Sequence, residues 1–315
     1  MKYFCTGSLG FIGSNLIRIL LERRDTEVVV NLDKETYAGN RANLEDVESD
    51  PRYVFVHGDI CNASLVLSIL HMYKPDVLLH LAAESHVDNS IVSPGEFFQT
   101  NLKGTFTLLE AVRAVGIGRY VQVSTDEVYG SLAAPLAADE GFPLNPSSPY
   151  SASKAGGDMM ALSYFKTYKL PIVVTRASNN YGPHQFTEKL IPLMISNALQ
   201  DKPLPVYGDG KQVRDWVFVD DHCHGILAAA LKGRVGEIYN IGGTESLPNI
   251  EVVKKILALT GKPESLIEHV TDRPGHDVRY AINSDKLKKE TGWKPEIDFE
   301  NGLRQTVDWY KQRNK

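Results

Sequence analysis

An aspartate and a glutamate stand side by side at the end of an apolar run, Val121-Gln122-Val123-Ser124-Thr125-Asp126-Glu127, and Tyr150-Ser151-Ala152-Ser153-Lys154 follows. Tyr150 and Lys154 are four apart, so on a helix they share a face. An ammonium near a phenol favours the phenolate, which makes Tyr150 a candidate base for a hydroxyl proton. Oxidation of an alcohol by a nicotinamide needs that proton removed. Asp126 and Glu127 add an acid and a second base, which brings elimination of water within reach of the same pocket. Adjacent strand side chains face opposite ways. Both carboxyl groups therefore reach one substrate only if the chain has begun to turn, as Tyr129-Gly130 implies. A Tyr-x-x-x-Lys alone is an ordinary helix surface, and an Asp-Glu pair alone is as readily a cap or a solvated turn. Their occurrence together, in the order one cofactor site requires, carries the chemistry.

These side chains need a frame. Strand-like runs at 3–6, 27–33, 53–59, 76–83, 119–125 and 171–177 alternate with helical patterns near 12–24, 63–73, 97–115 and 150–169. The strands are apolar almost throughout, so helices should cover both faces. The rhythm predicts an α/β fold: a Rossmann-type doubly wound parallel sheet with a smaller C-terminal α/β substrate-binding region. Past residue 178 the pattern is broken by Pro183, Pro192, Pro203, Pro205 and the turn Gly208-Asp209-Gly210. The chain divides on this basis into a cofactor domain over 1–178, rejoined by 216–243, and a substrate region of 179–215 and 244–315. Trp216 to Val219 and Glu237 to Ile241 are the strand-like pieces expected to return to the first sheet.

Gly7-Ser8-Leu9-Gly10-Phe11-Ile12-Gly13 follows the first strand and opens a helix. Small residues there let the backbone turn tightly and approach a pyrophosphate, whose charge the helix N-terminus stabilises. Asp33 ends the second strand, where a carboxylate accepts hydrogen bonds from a ribose diol and repels a 2′-phosphate. NAD is thereby favoured over NADP, with Lys34 as the counter-argument. Asp59, between Gly58 and Ile60, reads either as an adenine contact or as a helix N-cap. Leu81-Ala82-Ala83 ends the fourth strand with small residues suited to lie against a cofactor.

With 315 residues and 43% hydrophobic content the chain can bury a large core. A net charge of -5 with no block of like charge leaves no footprint for nucleic acid. Cys5, Cys61 and Cys223 are scattered and odd in number, which argues against a disulfide framework and fits a reducing cytoplasm. Met1 to Cys5 leads straight into the glycine loop, leaving no room for a signal peptide, and no apolar stretch approaches the roughly 20 residues of a membrane span. His222-Cys223-His224 alternates around a helix without carboxylate company, so no metal is expected. His80 reads as a satisfied core histidine and His86 as a lining residue of the cleft.

The segments Leu32-Asp33-Lys34, Thr36 to Asn40, His80 to Asp88, Ser124 to Gly130, Ser148 to Ala155, Ser178 to Pro183, Glu188 to Pro192, Arg214-Asp215-Trp216 and Arg273 to Asp277 span nearly the whole chain. On them it resembles the extended short-chain dehydrogenase/reductase superfamily and, within it, the dTDP-glucose 4,6-dehydratase family. The Thr-Asp-Glu triplet is the sharpest marker, because related epimerases and decarboxylases differ there. The resemblance implies that Tyr150, assisted by Lys154 and Thr125, takes the glucose 4-hydroxyl proton as hydride passes to NAD. Glu127 then removes the C5 proton, Asp126 protonates the departing 6-hydroxyl, and the hydride returns to C6 to give a 4-keto-6-deoxy sugar.

The same resemblance implies cofactor contacts at Gly7, Gly10, Phe11, Ile12, Gly13, Asp33, Lys34, Thr36, Asp59, Ile60, Leu81, Ala82, Ala83, Ser85, Thr100, Tyr150, Lys154 and Asn180. Substrate contacts fall on Ser85, Thr125, Asn179, Lys189, Leu190, Pro205, Tyr207, Arg214, Asn249, Arg273 and His276. It also implies a homodimer in which helices 97–115 and 150–169 pair with their copies. Arg214 and Arg273 suit a diphosphate, the alternative being structural ion pairs with Asp215, Asp272 or Asp277. Ser8-Leu9 replaces the family's usual Gly-Ala, and a leucine there is expected to crowd the pyrophosphate. Thr187 and Thr244-Glu245-Ser246 also depart from the family. The same chemistry on a UDP-sugar and a 4-epimerase therefore stay open, beside a dinucleotide-binding module without turnover, which has no use for the reactive side chains.

Overall fold

The apolar runs of the first half become six strands: β1 (Lys2–Thr6), β2 (Val28–Asp33), β3 (Tyr53–His57), β4 (Val77–His80), β5 (Arg119–Thr125) and β6 (Ile172–Ala177). Between them lie α1 (Phe11–Glu22), α2 (Ala63–Tyr73), the short α3 (Val87–Val92) and α4 (Pro94–Phe97), α5 (Thr105–Val115) and α6 (Pro149–Tyr168). This computed structural model describes residues 1–272 and 275–313. The second half carries β7 (Asn179–Tyr181), α7 (Leu190–Leu199), β8 (Leu204–Tyr207), β9 (Val213–Phe218), α8 (Val219–Lys232), β10 (Ile238–Ile241) and β11 (Glu245–Pro248). After these come α9 (Asn249–Thr260), β12 (Ile267–Val270), α10 (Asp285–Thr291) and α11 (Phe299–Arg313).

The main sheet runs β3-β2-β1-β4-β5-β6-β10 with every pair parallel. Strand order reverses between β1 and β4, and a crevice opens beyond their carboxyl ends, where open α/β sheets take ligands. The alternation of side chains splits the core in two. Tyr3, Cys5, Leu79 and Val121 pack under α1 and α8, with Leu16, Ile17 and Ile226. Phe4, Val30, Leu78 and Tyr120 pack on the other face, under α2, α5 and α6, with Leu70, Leu108 and Ala161.

Two local differences from the sequence pattern bear on the site. The strand-like runs 53–59 and 76–83 stop pairing at His57 and His80, so their last residues are loops facing the crevice. The helix expected over 97–115 contains a π-helical stretch, Phe98–Gly104, between α4 and α5. The wider turn buries Thr100 and Asn101, and such irregularities often mark functional sites.

Beyond β6 the chain builds smaller sheets, β11-β9-β7 and β12-β8. β10 returns to the main sheet, pairing with β6 from Ile238 opposite Val174. Trp216 to Phe218 does not. Against expectation these residues belong to β9, which pairs with β7 and β11. The reason lies in their bulk: Trp216 and Phe218 stack with Tyr181, and Phe299 joins the cluster, in a separate core shared with α7, α9 and α11. Among the described residues no helix is long and apolar enough to cross a membrane.

Candidate active site

Gly7 leaves β1 at φ 72°. A Cβ there would lie 2.5 Å from Ala82 Cα, so only glycine lets the loops after β1 and β4 close on one another. Gly10 is the N-cap of α1, whose first turn then points its N–H groups into the crevice. Leu9 turns away. It is buried in the core cluster that holds Leu16 and Leu44 and so does not crowd the cleft, while its amide donates to Asp33 Oδ2 at 2.9 Å. Glu35 N donates to Oδ1 at 2.9 Å. Burial raises the Asp33 pKa, and these two amides oppose the rise.

A cleft of about 290 Å³ runs from the glycine loop to the end of β5. Gly7, Gly10, Phe11, Ile12, Gly13, Asp33, Lys34, Thr36, Ile60, Leu81, Ala82, Ala83, Ser85 and Thr100 line one part. Thr125, Asp126, Glu127, Tyr150, Lys154, Asn179, Asn180 and Lys189 line the other. Asp59 is outside this wall. Its Oδ1 accepts from Cys61 N at 2.8 Å, and it is not the helix cap either, since Asn62 caps α2. Lys34 donates to Thr100 Oγ1 at 3.3 Å and sits 3.8 Å from Asp59 and 3.9 Å from Glu84. Two carboxylates thus share its charge, which leaves less of it for a 2′-phosphate.

The remaining substrate candidates are more dispersed. Leu190, Pro205, Tyr207, Arg214, Asn249 and His276 do not line the enclosed cleft. Arg214 donates to the carbonyls of Val213 and Asp277, both at 2.9 Å, and its guanidinium lies 4.3 Å over the Tyr280 ring. The alternative ion pair with Asp215 is not formed. His276 Nδ1 is 2.6 Å from Asp272 Oδ1, and its ring meets Tyr207 edge-on. Arg273 lies outside the described residues. His86 Nδ1 caps α3, accepting from Asn89 N at 3.3 Å. His80 is held between Thr6 at 2.8 Å and Thr105 at 3.1 Å, and burial pushes its pKa down to about 3.

β5 ends at Thr125 and the chain enters a 3-10 turn, Asp126–Tyr129, closed by Gly130 at φ 72°. That turn is what lets both carboxyl side chains line the cleft. Asp126 is 2% exposed. Its Oδ1 accepts from Thr125 Oγ1 at 3.4 Å, and Oδ2 has no partner among the described residues. Burial first, then the charges of Glu127 and Asp215, hold the Asp126 pKa well above the carboxylate range, against the pull of Arg214 and Thr125. Asp126 is therefore biased toward its protonated form, with a second carboxyl group beside it.

Tyr150 enters on the first turn of α6, whose start is fixed by a capping box between Ser148 and Ser151 with Pro149 at the first position. Its ring is edge-on to Phe97 at 6.3 Å. Burial and then Glu127 raise its pKa, while a hydrogen bond with Thr125 lowers it. Lys154 donates to the Val123 carbonyl at 2.7 Å, and burial brings its pKa down to about 8. The Lys154 ammonium is thus committed to a backbone oxygen, and the charge of Glu127 acts against ionisation of the phenol.

This constellation matches known proteins along its whole length. A family model described as GDP-mannose 4,6 dehydratase covers residues 4–306. The dTDP-glucose 4,6-dehydratase of Haemophilus influenzae is 50% identical across 98% of this chain and 98% of its own. The chain belongs to the dTDP-glucose 4,6-dehydratase family. A second member, from Xanthomonas campestris pv. campestris, is 52% identical over 98% of this chain and 92% of its own. The crystal structure of DesIV (dTDP-glucose 4,6-dehydratase) from Streptomyces venezuelae, with NAD and TYD bound, has a TM-score of 0.97 at 48% identity, covering 100% of this chain and 98% of that one.

Several lining residues of this family member were not among the expected contacts. Gln185, Phe186, Glu188 and His222 line the cleft. Burial raises the Glu188 pKa, and His86 lies 3.7 Å from its carboxylate. Its place directly before Lys189 was the available clue. Tyr280 is buried, donates to Asp277 Oδ2 and feels the charge of Glu127.

Beneath the site, Arg176 Nε donates to Asp158 Oδ2 at 2.9 Å with both side chains buried. The guanidinium also lies 4.9 Å over the Tyr129 ring. Asp158→Ala leaves that cation uncompensated and should lower stability by about 3–5 kcal/mol, read as a shift in the denaturant midpoint. A shift under about 1 kcal/mol would mean that the pair is replaceable by solvent.

Proposed function

We propose that this chain binds NAD and dehydrates dTDP-glucose to its 4-keto-6-deoxy product. The observation that carries the reading is Asp126: a buried acid with a raised pKa, beside Glu127 and facing the same cleft as Tyr150 and Lys154, at the carboxyl end of a parallel strand. NAD fits the residues present. Gly7 and Gly13 let the loop fold tightly where any Cβ would strike Ala82 or Ser8, Asp33 ends β2 as a diol acceptor, and His222 Nε2 is a buried polar atom of the cleft wall with no partner among the described residues. Bound there, it supplies the hydride acceptor at the start and the donor at the end.

The protein's own part is proton traffic. Tyr150, with Thr125 against its hydroxyl and Lys154 one turn along α6, would take the proton from the sugar 4-hydroxyl as the phenolate, a form that the positive charge of NAD bound beside it would favour. Once C4 is a ketone the C5 proton becomes acidic, and Glu127 removes it. Asp126 gives its proton to the 6-hydroxyl, which leaves as water. Arg214 is the candidate cation for the diphosphate, a contact for which its guanidinium would have to leave the Val213 and Asp277 carbonyls, and Ser85, Asn179 and Lys189 line the cleft where the sugar would lie. Lys34, held by Asp59 and Glu84, supports NAD over NADP.

Incubation with dTDP-glucose and NAD should give a product with a methyl at C6 and a ketone at C4, with no net NADH. Persistent NADH, or an intact C6 hydroxyl, contradicts the reading. Running UDP-glucose and UDP-N-acetylglucosamine beside it compares the nucleotide and the sugar.

We further propose a homodimer through α5 and α6. Phe98, Phe106 and Met159 are 58%, 46% and 55% exposed on these helices and the π-helical stretch, an apolar face that a second copy would cover. Phe106→Glu should convert a dimer to a monomer by light scattering; an unchanged mass places the contact elsewhere. The unpaired Cys5, Cys61 and Cys223 support a cytoplasmic location.

A further inference from the structure

The two buried histidines of the site are satisfied differently. Both ring nitrogens of His80 have partners inside the protein, Thr6 and Thr105. His222, on the buried face of α8, has only one. Its Nδ1 lies 2.7 Å from Asn180 Oδ1, while Asn180 Nδ2 donates to the Ser178 carbonyl at 2.9 Å. That second bond decides which end of the amide faces the ring. It is the oxygen, an acceptor, so Nδ1 carries the proton and Nε2 presents a bare lone pair.

Nε2 is buried with no hydrogen-bond partner among the described residues, in a side chain that lines the cleft and is 1% exposed. Burial brings the imidazole pKa down to about 3, so the ring is neutral at working pH and Nε2 stays an acceptor. A buried acceptor is unfavourable unless a donor reaches it. The cleft that His222 lines is also lined by Gly10, Ile12 and Asn180. Cys223 Sγ contacts the Ile12 carbonyl at 3.6 Å, which docks α8 against the first turn of the glycine-loop helix.

We propose that His222 Nε2 accepts a hydrogen bond from the bound nicotinamide dinucleotide, from its carboxamide N–H or a ribose hydroxyl, while Nδ1 orients Asn180. The inference rests on the cleft being the NAD site.

Three substitutions separate the two nitrogens. His222→Asn keeps a donor near Nδ1 and removes the acceptor; His222→Gln keeps an acceptor near Nε2; His222→Leu removes both. Titration of the full-length chain with NAD should show affinity weakened about five- to tenfold in His222→Asn and at least as much in His222→Leu, with His222→Gln within about threefold of wild type. Repeating the titration with 3-acetylpyridine adenine dinucleotide, which has a methyl in place of the carboxamide NH₂, identifies the donor. If the carboxamide donates, the difference between wild type and His222→Asn disappears; if a hydroxyl donates, it persists. Should a variant fail to fold, ¹⁵N NMR of the wild-type imidazole answers the same question, since Nε2 should be unprotonated and its resonance should move on adding NAD.

Equal affinities in wild type and His222→Asn, or a protonated Nε2, overturn the inference while leaving the cofactor reading intact. Failure of the wild type to bind NAD overturns both.

Discussion

Asp126→Asn will oxidise its substrate and then stall. Overall turnover should fall by about 10²–10⁴, the usual contribution of a positioned general acid, while reduced nicotinamide accumulates in a single turnover. The expectation follows from the division of labour in the cleft. Removal of the 4-hydroxyl proton is assigned to Tyr150, and an amide at 126 does not touch it. Loss of the 6-hydroxyl needs a proton, and an amide has none to give. Absorbance of the reduced cofactor in stopped flow checks the first half, and analysis of C6 checks the second. A 4-epimerase needs no acid at C6, so near-normal turnover of Asp126→Asn with a C4-inverted product would replace the lyase reading.

The substitution is also a clean one. Asparagine has the shape of the acid it replaces, and burial and then Glu127 push the Asp126 pKa well above its ordinary value, toward the neutral form that an amide mimics. A pKa raised in the folded state means that the native protein holds a proton the unfolded chain has released. The stabilising difference is full below the unfolded value and is lost as pH rises toward the folded one. The wild type should therefore weaken relative to Asp126→Asn from about pH 4 upward, and paired melting curves across that range test it. Parallel curves would mean that Asp126 titrates normally, and the acid assignment would then lose its physical basis.

The main sheet was legible because each strand announced itself. Continuous apolar runs such as Val28-Val29-Val30 require cover on both faces, and the parallel, doubly wound sheet is the arrangement that supplies it. β9 was misjudged because Trp216 and Phe218 satisfy the same pattern whichever core they enter. Only Tyr181 and Phe299, remote in sequence, decide between the two. The π-helical stretch at Phe98–Gly104 was hidden for a related reason: one wide turn shifts the phase of a helix without altering its composition.

Within the site, the residues fixed by backbone geometry could be read most directly. Gly7 and the Thr125-Asp126-Glu127 turn are dictated by a close approach and a strand end. Charge partners were less accessible. Asp59 bonds Cys61 N and Lys34 lies within 4 Å of it, Lys154 reaches Val123, and Leu9 rotates into the core. Each depends on where a flexible side chain finds a partner in three dimensions. His222 illustrates the same limit. As part of His222-Cys223-His224 it invited only a metal reading, and its pairing with Asn180 exists because β7 and α8 are neighbours in space.

Tyr150→Phe should abolish the reaction at an earlier point, with turnover down by about 10²–10⁴ and no reduced nicotinamide in a single turnover. The ring would keep its edge-on contact with Phe97, and burial raises the phenol's pKa further above neutrality, so that before NAD binds the group is neutral. Removing the hydroxyl therefore changes no charge, so NAD and sugar nucleotide should bind within a few-fold of wild type. The contrast with Asp126→Asn is the informative part, because one variant should accumulate reduced cofactor and the other should form none. If Tyr150→Phe still reduced the cofactor at a wild-type rate, another base would have to be present. Lys154 is the one at hand, since a pKa of about 8 leaves part of it neutral near pH 7. Lys154→Met in the Tyr150→Phe background would then remove the remaining reduction, whereas in the mechanism proposed here there would be none left to remove.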